Sequence, residues 1–335
     1  MSKAYTGIQI GHYSIKLAQV TDGRIDRICE APLPENLVTD GRVLSADALS
    51  ELIAGLFREN QMRCKNAAVV LSSDFSFARR TRMPYLSIEQ LKLNLPYEFH
   101  DYIQNEKTSY HYDYAVIQTI KNEKGEPEAL DLLIAAARED ILDGYTRILK
   151  KAGLKFKLAL PETLVYRNLL RAYEARQSEH PQEYCIVDLG HTATRMHMYT
   201  GTVYDTTRVI EYGGAALDAL IADHMGVDVH LASHYKIADL HEVQTLGVCQ
   251  DLYHKIAVEL LRALNFYHYN SPESNLNDIY FCGGLVKIQP LMDTIRSTLD
   301  VNIHSIAELL PGYDAEKQDA SAAAEAVAAI AVTLQ

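Results

Sequence analysis

Two stretches of the chain carry the residue types of a polyphosphate cradle. Residues 6–20 alternate apolar and polar positions on both sides of Gly11 and offer Gly11, Ser14 and Lys16 around a tight turn. Residues 184–198 repeat the design with an apolar strand, then Asp188, Gly190, Thr192 and Thr194, and a returning strand. Glycine turns point N–H groups inward with no bulky side chain in the way, and Ser/Thr hydroxyls add donors, so two such turns facing each other would hold a polyphosphate. Asp188, at a strand end, is of the type that holds a magnesium ion through water. Gly283-Gly284 follows apolar residues 278–282 and would leave bare backbone for a flat purine ring. Gly213-Gly214 either simply starts the next helix or offers its N-terminus to a phosphate. A glycine in a hairpin is usually only a turn; the order of the whole set is what points to a nucleotide.

The elements that must position these residues can be read from the pattern. Residues 6–28 predict three strands, joined at Gly11 and at Asp22-Gly23, and Asp40-Gly41 marks a further turn. Ser45 caps an amphipathic helix over 46–60 with Leu49, Leu52, Ile53 and Leu56 on one face. A buried strand is expected at 67–71. Ser87-Ile88-Glu89-Gln90 reads as a capping box, and Pro96 should kink or end that helix near Leu95. Strands at 110–117 and 129–136, a hairpin turn at 123–127 and a helix over 138–152 that stops at Gly153 make a small α/β unit with the texture of an insertion. Residues 156–160 and 161–176 read as strand and helix, 215–270 as mostly helical, and 320–334 as an Ala-rich helix. The two hairpins echo each other at a spacing of roughly 180 residues, which predicts an internal repeat.

Composition narrows the class. The 335 residues suit two globular units or one divided one, and 48% hydrophobic against 23% charged residues supports a real core. With 32 Lys+Arg against 44 Asp+Glu the net charge is −12, which argues against a protein that grips nucleic-acid phosphates. No apolar stretch reaches the ~18–20 residues of a membrane-spanning helix, and no apolar h-region opens the chain, so no signal peptide is expected. Five scattered cysteines without a Cys-x-x-Cys pair predict buried thiols in a reducing, cytoplasmic compartment.

The order Gly7-x-Gln9-x-Gly11, Asp188-x-Gly190-x-Thr192, Gly213-Gly214 and Gly283-Gly284 resembles the actin/Hsp70/sugar-kinase superfamily. More narrowly, it is similar to the type IV pilus assembly PilM family, relatives of the cell-division protein FtsA. The likeness extends to Pro32-Leu33-Pro34, to 80–98, to 132–138 and 149–153, and to Leu264-Asn265-Phe266-Tyr267. It implies an α/β, two-lobed actin-like (ribonuclease H-like) fold with an inserted small α/β subdomain. The first lobe would be 1–78 with 155–180, the insertion 79–154, the second lobe 181–214 with 277–335, and a helical subdomain 215–276. The resemblance further implies ATP with magnesium between the lobes, metal binding through water at Gln9 and Asp188, and cofactor positions at His12, Tyr13 and Lys236 besides those named above. Asp188 would carry any catalysis. The implied partner is the cytoplasmic N-terminal tail of a PilN-like membrane protein, bound near the insertion, with other pilus platform proteins beyond it. Location would be cytoplasmic, on the inner face of the membrane through that partner, and self-association stays open.

Departures from the family pattern bear on activity. The family has Asp where Gln9 stands and Ser-Ser at His12-Tyr13; His191 replaces a small residue, only two glycines precede Leu285, and Ser233 and His234 replace carboxylates while Lys236 is kept. The amide of Gln9 lacks the charge that helps hold a hydrated metal, which favours binding over hydrolysis. An active Mg-ATPase or an FtsA-like filament protein remains the alternative, with a small-metabolite kinase as outsider, for which Asp218 and Glu211 are the nearest carboxylates. Other features have two readings each. Asp188 could be a turn residue and Lys16 a solvated edge charge. His230 and His234 form a helical pair that could begin a zinc site or face solvent, with His224 and His241 nearby. Tyr110, Tyr112 and Tyr114 serve sheet packing or a ligand platform, and Arg79, Arg80 and Arg82 a strand edge or a docking patch.

Overall fold

The computed structural model describes residues 4–22, 24–34, 37–39, 42–73, 75–103 and 109–310. The expected turns at Gly23 and Asp40-Gly41 and the Ala-rich helix at 320–334 lie outside them. Two compact units divide the chain: one takes in residues through Ser178 with Thr202–Asp205, the other Glu179–Gly201 and Thr206–Glu308.

In the first unit, β1 (Ala4–Ile10), β2 (Ser14–Thr21) and β3 (Arg24–Pro32) form the antiparallel meander that the alternating pattern predicts. A two-stranded clip, β4 (Val38–Thr39) and β5 (Arg42–Val43), precedes α1 (Ala46–Glu59), whose Ser45 cap accepts from Ala48 N–H. Strand β6 (Asn66–Leu71) joins β1 in parallel. The chain then makes a three-stranded sheet of β7 (Ser76–Pro84), β8 (Tyr110–Lys121) and β9 (Pro127–Arg138), with β9 central. Helix α2 (Ile88–Asn94) carries the Ser87–Gln90 capping box and gives way to a 3-10 turn at Leu95–Phe99, where Pro96 cannot continue the α-helical ladder. Helix α3 (Glu139–Lys151) leads to β10 (Lys155–Pro161), parallel to β6, and α4 (Glu162–Glu174) follows. The main sheet runs β10-β6-β1-β2-β3.

Two arginines of β7, Arg79 and Arg80, bond within the segment. Arg80 makes a bidentate pair with Asp131 on β9 (Nε to Oδ1 2.9 Å), and Arg79 Nη1 donates to the Glu98 carbonyl at 3.0 Å. Thr81 Oγ1 reaches Glu98 Oε2 at 2.7 Å, so the 3-10 turn is pinned to the sheet from two sides. The tyrosines of β8 pack as a sheet face: Tyr112 lies 5.8 Å from the Phe99 ring and Tyr110 6.2 Å from Phe77.

The second unit opens on β11 (Glu183–Leu189), β12 (Thr194–Thr200) and β13 (Val203–Ile210). The expected long helical region resolves into α5 (Gly214–Met225), α6 (Val229–Ala238) and α7 (Gly247–Asn270), interrupted where Gly226 and Asp239 turn left-handed. Strand β14 (Asp278–Cys282), helix α8 (Gln289–Thr298) and strand β15 (Asn302–Ser305) complete the order β13-β12-β11-β14-β15. Three of these, β13, α8 and β15, carry no expectation from the sequence. Strand β13 buries only two of its residues and so lacks a clear alternation, Pro290 reads as a breaker although it occupies the first helical turn, and β15 is four residues long. Among the described residues no group of three His, Cys, Asp or Glu side chains is placed to hold a metal, and His230 and His234 lie exposed along α6.

The second sheet has two unlike faces. One bears Cys185, Val187, Leu189, Met196, Met198 and Phe281 and joins the helices in one apolar core. The other carries Tyr184, Ile186 and Asp188 on β11 opposite Tyr199, His197 and Arg195 on β12. His197 on that face is fully buried, with Nδ1 2.8 Å from Thr207 Oγ1, and burial beside Arg195 drives its pKa from 6.5 down to about 3. Below pH 6.5 the unfolded chain takes up a proton that the folded protein refuses until about pH 3, so stability falls as the pH is lowered through that window. The slope is at most about 1.4 kcal/mol per pH unit from this one group. We expect the melting temperature of the protein to drop more steeply between pH 6.5 and 5 than that of His197→Gln; parallel curves would count against a neutral buried imidazole.

Candidate functional site

The second hairpin is held by a backbone clasp. Asp188 ends β11 and the turn closes with Gly190 N–H donating to the Ala193 carbonyl at 3.2 Å. Behind it lies Gly213: a Cβ there would stand 2.5 Å from His191 O and 2.7 Å from Gly190 O, well inside van der Waals contact. Gly283 closes from the other side. Its φ of +93° already favours glycine, and a Cβ would strike both the Asp188 carboxylate and the Leu189 carbonyl. Three segments far apart in sequence thus meet on the residues 188–191 because each brings a bare Cα.

This packing changes the roles expected of several residues. The first amides of α5 do not point at open space: Gly214 N–H donates to Gly190 O at 3.0 Å, Ala215 N–H to His191 O at 2.8 Å and Ala216 N–H to Gly213 O at 3.2 Å. Gly213-Gly214 therefore works as the seat of the second hairpin, with its helix-end donors already engaged. Thr194 is fully buried and its hydroxyl donates to the Tyr212 carbonyl at 2.9 Å, which fixes the residue before that seat and removes the hydroxyl from phosphate binding. Thr192 is exposed at the tip of the turn, and Gly284 has open space above its Cα. Of the two closing glycines, only Gly284 offers the bare backbone that a flat ring would need.

Lys236 is a structural cation. Its ammonium sits 2.7 Å from Asp218 Oδ1 and donates to the Gly214 carbonyl at 3.1 Å, both side chains being less than a tenth exposed. His191 Nδ1 stands 3.9 Å from the other Asp218 oxygen. Asp218 is accordingly an anchor for α6 against the start of α5 and not a carboxylate facing a substrate. Sequence reasoning named Asp218 only through its nearness to Gly213-Gly214; the ion pair across 18 residues left no local signature.

In the first unit, Gly11 N–H donates to Ser14 O at 3.0 Å, closing the β1–β2 turn as expected. Ser14 Oγ donates to Glu30 Oε1 on β3 at 2.7 Å. Gln9, Lys16 and Glu30 are register partners in a row across β1, β2 and β3. The first hairpin thus carries a carboxylate, Glu30, that the sequence reading missed; the β2–β3 register places it beside Lys16. His12 is half-buried and Tyr13 is 45% exposed, with the Tyr13 carbonyl accepting from Leu33 N–H at 2.9 Å. Each hairpin belongs to its own unit and is described there.

In the first unit Gln9 brings an amide, which lacks the charge that holds a hydrated metal. In the second, Asp188, 7% exposed, faces Arg195 directly across the β11–β12 ladder. Its Oδ1 lies against Gly283 and its Oδ2 against Gly190. A magnesium ion keeps several waters at about 2.0–2.1 Å, and the buried Asp188, with Gly283 against one carboxylate oxygen and Gly190 beside the other, suits that hydration shell poorly. Arg195 was not among the expected site residues, although a turn over 190–193 sets 188 opposite 195 by counting.

Lys236 separates a structural role from a ligand contact by stability alone. Lys236→Met leaves Asp218 buried without its cation and is expected to cost about 3 to 5 kcal/mol in urea unfolding. A loss below about 0.5 kcal/mol, typical of surface changes, would return Lys236 to the ligand-facing set.

Comparison with known proteins places the chain. A family model described as type IV pilus assembly protein PilM matches residues 7–331. Among curated proteins, no sequence matches. Among solved structures the chain is similar to the PilM-PilN type IV pilus biogenesis complex, with 21% identity, 98% of this chain and 96% of that one covered, and a TM-score of 0.77. It is also similar to ethanolamine utilization protein EutJ from Carboxydothermus hydrogenoformans, with 12% identity, 99% and 90% covered, and a TM-score of 0.58. The fold is of the α/β class and actin-like, one with which nucleotide binding is consistent.

Proposed function

This chain belongs to the type IV pilus assembly protein PilM family, and we propose that it is a nucleotide-binding adaptor that captures the cytoplasmic N-terminal tail of a PilN-like membrane protein. Through that tail it joins the inner-membrane pilus platform from the cytoplasmic side. No helix among the described residues is long and apolar enough to cross a membrane, in keeping with attachment through a partner. The structurally similar PilM-PilN complex, by its name, pairs a relative with such a partner.

The observation that carries this reading is the surface of the segment 79–154, which we assign as the inserted subdomain. Tyr85, Ile88, Leu93, Tyr97 and Tyr102 are each more than half exposed, while Leu91, Leu95 and Phe99 of the same segment are buried against the sheet. Isolated exposed apolar side chains are ordinary, but a run of large ones on a short capped helix and its 3-10 extension marks an interaction surface. The capping box and the Arg79–Glu98 and Thr81–Glu98 bonds hold that surface in place without a partner. A tail peptide would meet a preformed site and lose little to ordering of the adaptor.

ATP is the nucleotide proposed, its phosphates lying on the 190–193 turn beside exposed Thr192 and its base near Gly284. Gln9, the engaged Ser14 and the buried Asp188 favour holding over hydrolysing it. The remaining lobe assignments stand as proposals on the same footing: 1–78 with 155–180, 181–214 with 277–335, and 215–276 as the helical part.

A labelled peptide of the PilN-like tail, titrated onto the full chain by fluorescence anisotropy, tests the adaptor role. We expect saturable binding that weakens at least tenfold, about 1.4 kcal/mol, in Leu93→Ala or Tyr97→Ala. Absence of binding up to ~1 mM peptide, or affinity untouched by both substitutions, would overturn it.

A further inference from the structure

We propose that the nucleotide site of the second unit operates without a divalent cation, the guanidinium of Arg195 supplying the positive charge that a metal would otherwise bring. This rests on the nucleotide reading above and narrows it. Three observations carry it. Arg195 and Asp188 are direct register partners on one face of the antiparallel β11–β12 pair, where facing side chains of opposite charge interact. Both flank the same glycine: a Cβ on Gly190 would stand 3.7 Å from Asp188 Oδ2 and 3.8 Å from Arg195 Nη1, so carboxylate and guanidinium border the floor of the turn together. The other carboxylate oxygen lies against Gly283, where even a Cβ would strike it, so the buried Asp188 has little space for a hydration shell.

The charge arrangement leads to the same place. Lys236, the other cation near this turn, is committed to Asp218 and the Gly214 carbonyl. Arg195 is half-buried at the start of β12, where its planar fork can pair with phosphate oxygens in a bidentate manner. A divalent cation brought to Asp188 would have to approach that guanidinium and would be repelled by it.

The ligand class is a nucleoside polyphosphate bound free of metal, and the probe is ATP itself. Calorimetric titration of the full chain is run with excess magnesium chloride and with EDTA, on the wild type, Arg195→Met and Arg195→Lys, after thermal melts establish that the variants fold. We expect wild-type affinities within about twofold of each other in the two buffers. Arg195→Met should bind at least about tenfold more weakly in both buffers, and Arg195→Lys should retain metal-free binding. A wild-type affinity that rises about tenfold or more with magnesium overturns the proposal while leaving nucleotide binding intact, and does so even if neither variant folds. Equal affinity of Arg195→Met and wild type in EDTA overturns it as well. No binding of ATP in either buffer removes the nucleotide reading, and this proposal with it.

Discussion

Everything described at the second hairpin depends on backbone meeting backbone. The carbonyls of Leu189, Gly190 and His191, with the Asp188 carboxylate, are boxed by Gly213 on one side and Gly283 on the other, at distances that exclude any Cβ. Such contact is available only where side chains are missing, so the sequence must bring glycine at two positions some 70 residues apart and aim both at a third. The amides of α5 then close on the turn carbonyls, and the hydroxyl of Thr194 locks the residue ahead of the seat. The outcome is a turn with a fixed shape, which is what preorganised recognition of a polyanion requires.

Much of the architecture could be read before any coordinates. Hairpins announce themselves through period-two alternation around glycine, and the Ser87–Gln90 box and the Pro96 break act within a few residues of where they are written. Site chemistry was less legible because its decisive contacts are long-range. Asp218–Lys236, Ser14–Glu30 and Arg80–Asp131 join residues 18, 16 and 51 positions apart, and no local pattern encodes such partners. Thr194 shows the difference well. Its type and spacing made it a phosphate donor, yet strand alternation turns it toward the apolar core and its neighbour Arg195 toward the polar face. Counting faces from the turn would have exchanged the two residues in the site.

The segment 79–154 follows a separate logic. Its sheet places an arginine-bearing edge strand, β7, beside β9, where Arg80, still exposed, pairs with Asp131, and Arg79 bonds the Glu98 carbonyl of the 3-10 turn. Because polar groups do the fastening, the large apolar side chains of the segment are released for the outside. Burying Leu91, Leu95 and Phe99 while exposing Leu93 and Tyr97 requires a helix fixed in rotation about its own axis. The capping box and the Glu98 contacts supply that rotational constraint.

These two regions differ in how they treat charge, and the difference bears on what each can do. In the segment 79–154, Arg79 and Arg80 are bonded within the segment and large apolar side chains stand exposed. At the second hairpin, Asp188 and Arg195 stand opposite each other on one face of the sheet, so both signs of charge border the turn. A metal-dependent hydrolase works from the opposite starting point, with a carboxylate held in reserve for an ion that will polarise the phosphate and its attacking water. With Asp188 buried opposite Arg195, the second hairpin is built more for holding a polyanion, as proposed above, than for polarising it toward attack, and the free energy of such binding would go into favouring one arrangement of the protein.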